Sequence, residues 1–130
     1  MNQTDWSNLF KIRIANPTRS MNKHEIVKLL LVMKLLELHK KEKSWIRVYT
    51  EFNALDNKRC DIYYENIKDK SIIIYEIQKN PTVKWNKKIQ EAYKDYHPMF
   101  MKTVDLIVVD LKNLSNNIEE LDKQLEDYIV

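Results

Sequence analysis

The chain has 130 residues, of which 44% are hydrophobic and 32% charged, with a net charge of +3 and a single cysteine. This balance predicts one compact soluble domain and excludes a disordered or fibrous protein. One cysteine excludes a disulfide framework and metal sites built on several cysteines, and the absence of glycine excludes glycine-rich loops that cradle phosphates.

Composition also predicts where the protein works. The single Cys60 is typical of a reducing, intracellular compartment, so we expect a cytoplasmic protein. The most apolar run, residues 29–33, is far shorter than the roughly 20 residues of a membrane-spanning helix. Residues 1–10 lack the apolar segment of a signal peptide. We therefore expect no membrane contact.

Hydrophobic periodicity in the first part of the chain predicts a helix followed by three strands. Residues 1–20 show no clear periodicity and are interpreted as an N-terminal arm. Asn22, as N-cap, with Glu25 three positions later, predicts a helix that runs to about residue 42. The strands are predicted at residues 45–52, 59–65 and 71–78.

The second part of the chain predicts a helix, a strand and a last helix. Asn80 followed by Pro81 resembles an N-cap with proline at the first helical position. Residues 104–111 form the fourth strand, and residues 115–130 form the C-terminal helix. A right-handed crossover through the second helix would make the fourth strand parallel to the third. The prediction is a single α/β domain, of order α-β-β-β-α-β plus a C-terminal helix, with helices flanking a mixed sheet.

Two carboxylates in the predicted strands suggest a site. Asp61 lies between Cys60 and Ile62, and Glu76 lies in the next strand. Side chains alternate along a strand, so Glu76 and Gln78 share a face and Asp61 can meet them from the neighbouring strand. Converging carboxylates repel one another unless a cation lies between them. The pattern therefore predicts a divalent metal with oxygen ligands, which Mg²⁺ fits best.

Structural roles compete with this interpretation. A buried salt bridge to Arg59 would explain Glu76 without a metal, and Arg59 could instead pair with Glu51. Glu25 would satisfy a helix N-terminus if Asn22 is the N-cap. His24 lies near the proposed site and could contact a substrate. The tyrosines of the strands and of the second helix serve either as core or as stacking surfaces for bases.

Asp61, Glu76 and Gln78, in this order of elements, resemble the PD-(D/E)XK nuclease superfamily. Its pattern is an Asp early in the second strand, then Glu-x-Lys in the third; here the gap from Asp61 to Glu76 is fifteen positions. The likeness covers about residues 22–111 and includes small Holliday-junction-resolvase-type and CoiA-like members. It implies a restriction-endonuclease-like core and a metal-dependent DNA nuclease, which would form a homodimer if it works as the resolvases do.

The resemblance also assigns roles to residues. It implies that Asp61, Glu76 and the backbone carbonyl of Ile77 bind Mg²⁺ or Mn²⁺, and that Glu25 completes a second-metal site or holds a water. The metal would activate a water that hydrolyses a phosphodiester bond. Gln78 stands where the family usually has Lys. Glutamine can orient that water but supplies neither a positive charge nor a general acid.

The missing charge directs attention to nearby lysines. Lys84 or Lys88 on the following helix is favoured over Lys79 as the substitute. Together with Lys87, these three lysines form the predicted DNA-binding face. Two further hypotheses stay open: a catalytically inactive nucleic-acid-binding or interaction protein that retains the nuclease fold, and a structural protein whose core resembles the motif.

Overall fold

The structure is a computed structural model that describes residues 19–38, 40, 45–56 and 58–129. Most of the arm predicted at residues 1–20 lies outside these ranges. The elements are α1 (Arg19–Leu38), β1 (Ile46–Leu55), β2 (Lys58–Asn66), β3 (Ser71–Gln78), α2 (Val83–Tyr93), β4 (Thr103–Asp110) and α3 (Ile118–Gln124). Two short 3₁₀ helices lie at Leu111–Asn113 and Leu125–Tyr128. The order of elements and the α/β class are confirmed.

The four strands form one mixed sheet in the order β1-β2-β3-β4. The first three strands make an antiparallel meander. β4 pairs parallel to β3, from Ser71 opposite Thr103 to Gln78 opposite Asp110, which confirms the predicted crossover through α2. β3 is the most apolar strand because its two neighbours and the helices on both faces cover it.

Each face of the sheet has its own apolar core. On one face α1 and α3 pack against alternate residues of the strands, with Leu31, Tyr75 and Leu121 at the centre. On the other face α2 contributes Ile89 and Tyr93. These layers bring α1 and α2 over opposite sides of β2 and β3. Within the described residues, no helix combines the length and apolar character needed to cross a membrane.

Helix boundaries differ from those predicted. α1 begins at Arg19 rather than after Asn22, because residues 19–21 contain no helix breaker. It is described to Leu38, and its predicted end near residue 42 lies outside the described residues. Glu25 therefore lies in the second turn, away from the N-terminal donors. α3 begins at Ile118 rather than at residue 115, because the Asn117 side chain accepts hydrogen bonds from the first N–H groups of the helix.

The N-cap of α2 is Thr82 rather than Asn80. Its Oγ1 accepts a hydrogen bond from the N–H of Trp85 at 3.0 Å, and Pro81 precedes the cap instead of occupying the first helical position. The N-cap of α2 therefore lies two positions later than the Asn-Pro pattern predicted.

Replacing Thr82 by Ala should lower the free energy of unfolding by about 1 kcal/mol, because it removes the acceptor for the Trp85 N–H. Urea unfolding followed by far-UV circular dichroism measures the change. Asn80→Ala is the matched control and should shift stability by less than about 0.5 kcal/mol. Equal losses in the two variants would contradict the assignment of Thr82 as the cap.

Candidate functional site

The sheet is locally distorted around Asp61. The paired residues of β2 and β3 run from Asn66 opposite Ser71 to Ile62 opposite Tyr75. At the next position Asp61 uses its side chain, and Oδ2 accepts a hydrogen bond from the N–H of Ile77 at 2.6 Å. A carboxylate thus stands where a main-chain carbonyl would continue the ladder.

The neighbouring pair of strands is distorted at the same level. Pairing of β1 with β2 passes from Thr50–Ile62 to Phe52–Cys60 without a pair at Glu51 and Asp61. Glu51 has a φ of 53°, which lies in the left-handed region that non-glycine residues seldom adopt. Ile62 packs in the α1 core, whereas Cys60 packs in the α2 core beside Tyr63. The regular alternation of faces therefore breaks at Asp61.

A network of alternating charges connects Asp61 to α1. His24 Nε2 lies 3.2 Å from Asp61 Oδ1, and His24 Nδ1 lies 3.3 Å from Glu25 Oε2. Lys28 Nζ lies 2.7 Å from the same oxygen of Glu25 and 2.9 Å from Glu51 Oε1. We call these five residues the α1 charge network. Glu25 thus pairs with two cations instead of capping the helix.

His24 is biased towards its protonated form. Burial disfavours the imidazolium, but the hydrogen bonds and negative charges of Asp61 and Glu25 outweigh it, so the pKa of His24 is raised above its ordinary value of 6.5. A doubly donating imidazolium satisfies both carboxylates at once. His24 therefore acts as the cation that holds Asp61 against α1.

Glu76 lies on the opposite face, in the α2 core. It is 6% exposed, the hydroxyl of Tyr93 donates a hydrogen bond to its Oε2 at 3.1 Å, and Lys58 Nζ lies 3.8 Å from the same oxygen. Burial raises the pKa of Glu76 to about 7; the charges of Asp61 and Glu51 add to the rise, and Lys58 and the Tyr93 hydrogen bond oppose it. The groups around Glu76 thus offset the negative charge of its ionised form only in part.

Asp61 and Glu76 interact through charge but are held from different sides. The described contacts of Asp61 lead to His24 on α1 and to the backbone of β3, whereas those of Glu76 lead to Tyr93 on α2. The alternation that predicted a shared face fails because it breaks at Asp61. In the described part of the chain, no group of three or more His, Cys, Asp and Glu side chains is arranged to hold a metal ion.

The remaining predicted residues surround this centre. The N–H of Ile77 donates a hydrogen bond to Asp61. Gln78 is half-buried, and its Oε1 accepts a hydrogen bond from the N–H of Lys79. The four lysines predicted to contact DNA, Lys79, Lys84, Lys87 and Lys88, are all exposed.

The cations beside the carboxylates were not those proposed from the sequence. Lys58, rather than Arg59, is the cation described near Glu76, and Lys28 pairs with Glu51. β2 begins at Lys58, one residue before the strand predicted at residues 59–65. Regular alternation would place Lys58 with Cys60 on the face away from Asp61, so the break at Asp61 hid its pairing with Glu76.

A groove of about 1450 Å³ runs between α2 and β4. Its floor is apolar and includes Ile74 and Leu106, and Lys87 and Lys88 lie at its rim. Tyr93 lines the groove and also donates to Glu76, so one side chain separates the groove from the buried carboxyl group.

Comparisons with protein-family models, with curated proteins and with solved structures found no match. The resemblance to the PD-(D/E)XK superfamily therefore stays a prediction, carried by the residues of this chain and by the order of its elements. Any function must be argued from the site.

Asp61→Asn should lower the pKa of His24, because it removes the larger of the two carboxylate interactions that favour the imidazolium. Titration of the His24 ring protons by NMR measures this. Asp105→Asn, an equivalent change at an exposed residue of β4, is the control and should leave the titration unchanged. A His24 titration that is identical in both variants would rule out the Asp61 contact.

Glu76→Gln should stabilise the protein above neutral pH. Because the folded-state pKa is raised, the stability contributed by protonated Glu76 is complete below about pH 4.5 and is lost as pH rises through about 7. Relative to wild type, the variant should gain about 1–2 kcal/mol at pH 8 and little at pH 5, allowing for partial hydration of the carboxyl group.

Urea unfolding in EDTA at both pH values tests this expectation. Glu91→Gln, at an exposed position of α2, provides the control and should show no such pH-dependent gain. The same difference between Glu76→Gln and wild type at pH 5 and at pH 8 would show that ionisation of Glu76 is not the cause.

Proposed function

We propose that the chain is a divalent-metal-dependent DNA nuclease with a restriction-endonuclease-like core, and that Asp61 and Glu76 are its central acidic residues. One observation carries the proposal: the Asp61 carboxylate replaces a ladder acceptor where β2 and β3 separate, close enough for its charge to raise the pKa of Glu76. Irregular strand positions of this kind re-aim side chains and recur next to active sites. The parallel β3–β4 pair joined through α2 agrees with the proposed core.

The donor chemistry of this region fits a hard divalent cation. Asp61, Glu76 and the Ile77 carbonyl offer only oxygen ligands, which Mg²⁺ and Mn²⁺ prefer. Glu76 is buried with its negative charge only partly offset, so a further cation would stabilise its ionised form. Asp61 Oδ1 already contacts His24, so its use as a ligand requires His24 to give up that contact.

The residues around the metal ligands have separate tasks. A bound cation would acidify a water and offset charge on the phosphate. Gln78 lies beside Glu76 on β3 and would orient the attacking water through its amide. Glu25 holds His24 and Lys28 in place beside Asp61, which keeps the carboxylate positioned.

DNA is the proposed substrate because the resemblance implies it and because lysines lie at the rim of the groove that Tyr93 lines, although Glu91, Asp95 and Asp105 line it as well. Lys87 and Lys88 lie at its rim, and phosphate contacts from lysine give sequence-independent binding. A homodimer and a cytoplasmic location stay predictions that follow from the resemblance and from the single cysteine.

Asp61→Asn should reduce cleavage of supercoiled plasmid by at least about 100-fold, because one oxygen donor and one negative charge are lost at the centre. The measurement is the rate of nicking in Mg²⁺ or Mn²⁺, with branched and single-stranded DNA as further substrates. Glu37→Gln, at an exposed position of α1, is the control and should cleave at the wild-type rate.

The same assay separates the competing functions. Binding of DNA without cleavage by the wild-type protein, unchanged by EDTA, would support an inactive nucleic-acid-binding protein that retains the fold. Neither binding nor cleavage of any substrate would leave only the structural role.

A further inference from the structure

We propose that Lys58 supplies the positive charge that contacts the scissile phosphate at the Asp61–Glu76 centre. This inference rests on the proposed function and adds to it a residue that acts on the substrate. Lys58 opens β2, and β3 ends at Gln78 on the antiparallel neighbouring strand, so the lysine lies at the end of the sheet where the two carboxylates stand.

Lys58 lies close to Glu76, but this contact leaves the N–H donors of its ammonium group available. Lys58 Nζ lies 3.8 Å from Glu76 Oε2, which is too long for a hydrogen bond but close enough for electrostatic attraction. The contact therefore uses none of the three N–H donors of the ammonium group. The Lys58 side chain is 32% exposed, so it contacts both the buried carboxyl group of Glu76 and solvent.

The other cations near the centre are already committed. Both ring nitrogens of His24 face carboxylates, those of Glu25 and Asp61. Lys28 Nζ lies within 3 Å of two carboxylates of its own, those of Glu25 and Glu51.

The lysines predicted on α2 form no described ion pair with Glu76 or Asp61. Lys84, Lys87 and Lys88 are exposed, and in the described part of the chain Lys58 is the one lysine that forms an ion pair with Glu76. The sequence favoured Lys84 or Lys88 because α2 follows β3 directly. The structure instead places a lysine from the preceding strand beside Glu76.

Charge at this position suits phosphodiester hydrolysis. A water oxygen forms a bond to phosphorus and the bond to one ester oxygen breaks; one proton of the water protonates the leaving alkoxide and the other is released to solvent. Negative charge on the phosphate oxygens rises on the way to the transition state. Lys58 exchanges no proton in this scheme and stabilises that charge through its ammonium group.

Lys58→Met should lower the single-turnover cleavage rate of plasmid DNA in saturating Mg²⁺ by about 100-fold or more, because one charge that acts in the transition state is removed. Its affinity for the same DNA, measured in Ca²⁺, should change by less than about threefold, since one lost phosphate contact weakens binding only slightly. A residue that only supports the fold would not produce this division between rate and binding.

Two further variants complete the test. Lys58→Arg keeps the charge and should retain at least about a tenth of the wild-type rate. Lys123→Met removes an exposed lysine of α3 and should leave the cleavage rate within about twofold. Thermal unfolding of each variant identifies any loss of folding, and Lys58→Arg provides the test if Lys58→Met fails to fold.

The outcomes separate the two proposals. Full cleavage by Lys58→Met, or loss of cleavage in a folded Lys58→Arg, overturns the role of Lys58 and leaves the nuclease proposal standing. Absence of cleavage by the wild-type protein with either metal overturns the proposed function and the role of Lys58 with it.

Discussion

The hydrogen bond from the Ile77 N–H to the Asp61 carboxylate is the constraint on which the site depends. A buried main-chain N–H must find an acceptor, and beyond Ile62 and Tyr75 the paired backbone of β2 no longer provides one. Asp61 satisfies this donor with its side chain. It therefore holds its carboxylate where β2 and β3 separate, close enough for the negative charge to raise the pKa of Glu76.

Charge around this bond is divided between the two faces of the sheet. On the α1 side, the carboxylates of Asp61, Glu25 and Glu51 each lie within 3.3 Å of His24 or Lys28, and two cations facing three carboxylates leave one negative charge over. On the α2 side, Glu76 has only a tyrosine hydroxyl and a lysine at 3.8 Å, and its pKa rises to about 7. Because Glu76 is buried and its one described cation lies at 3.8 Å, a further cation on the α2 side would favour its ionised form.

Sequence periodicity predicted the order of elements, the mixed sheet and the strand that holds each acidic residue. These features follow from side-chain alternation and connection rules, which act locally. Less could be predicted about contacts. The break in alternation at Asp61 lies at the level of the left-handed backbone of Glu51, which belongs to no motif. The pairing of Lys58 with Glu76 depends on cross-strand geometry. The start of α1 at Arg19 and the N-cap of α2 at Thr82 were missed because several residues in each stretch can cap or continue a helix.

Tyr93 links the groove beside α2 to the ionisation of Glu76. Its side chain lines the groove, and its hydroxyl donates a hydrogen bond to Glu76, so Tyr93 contacts both the groove and the buried carboxyl group. A molecule whose binding in the groove displaces Tyr93 removes a donor that favours ionised Glu76. By thermodynamic reciprocity, the ionisation of Glu76 then changes the affinity of the groove for that molecule by the same factor. The affinity of the groove for a bound molecule and the charge of the buried Glu76 are thus coupled through the Tyr93 side chain.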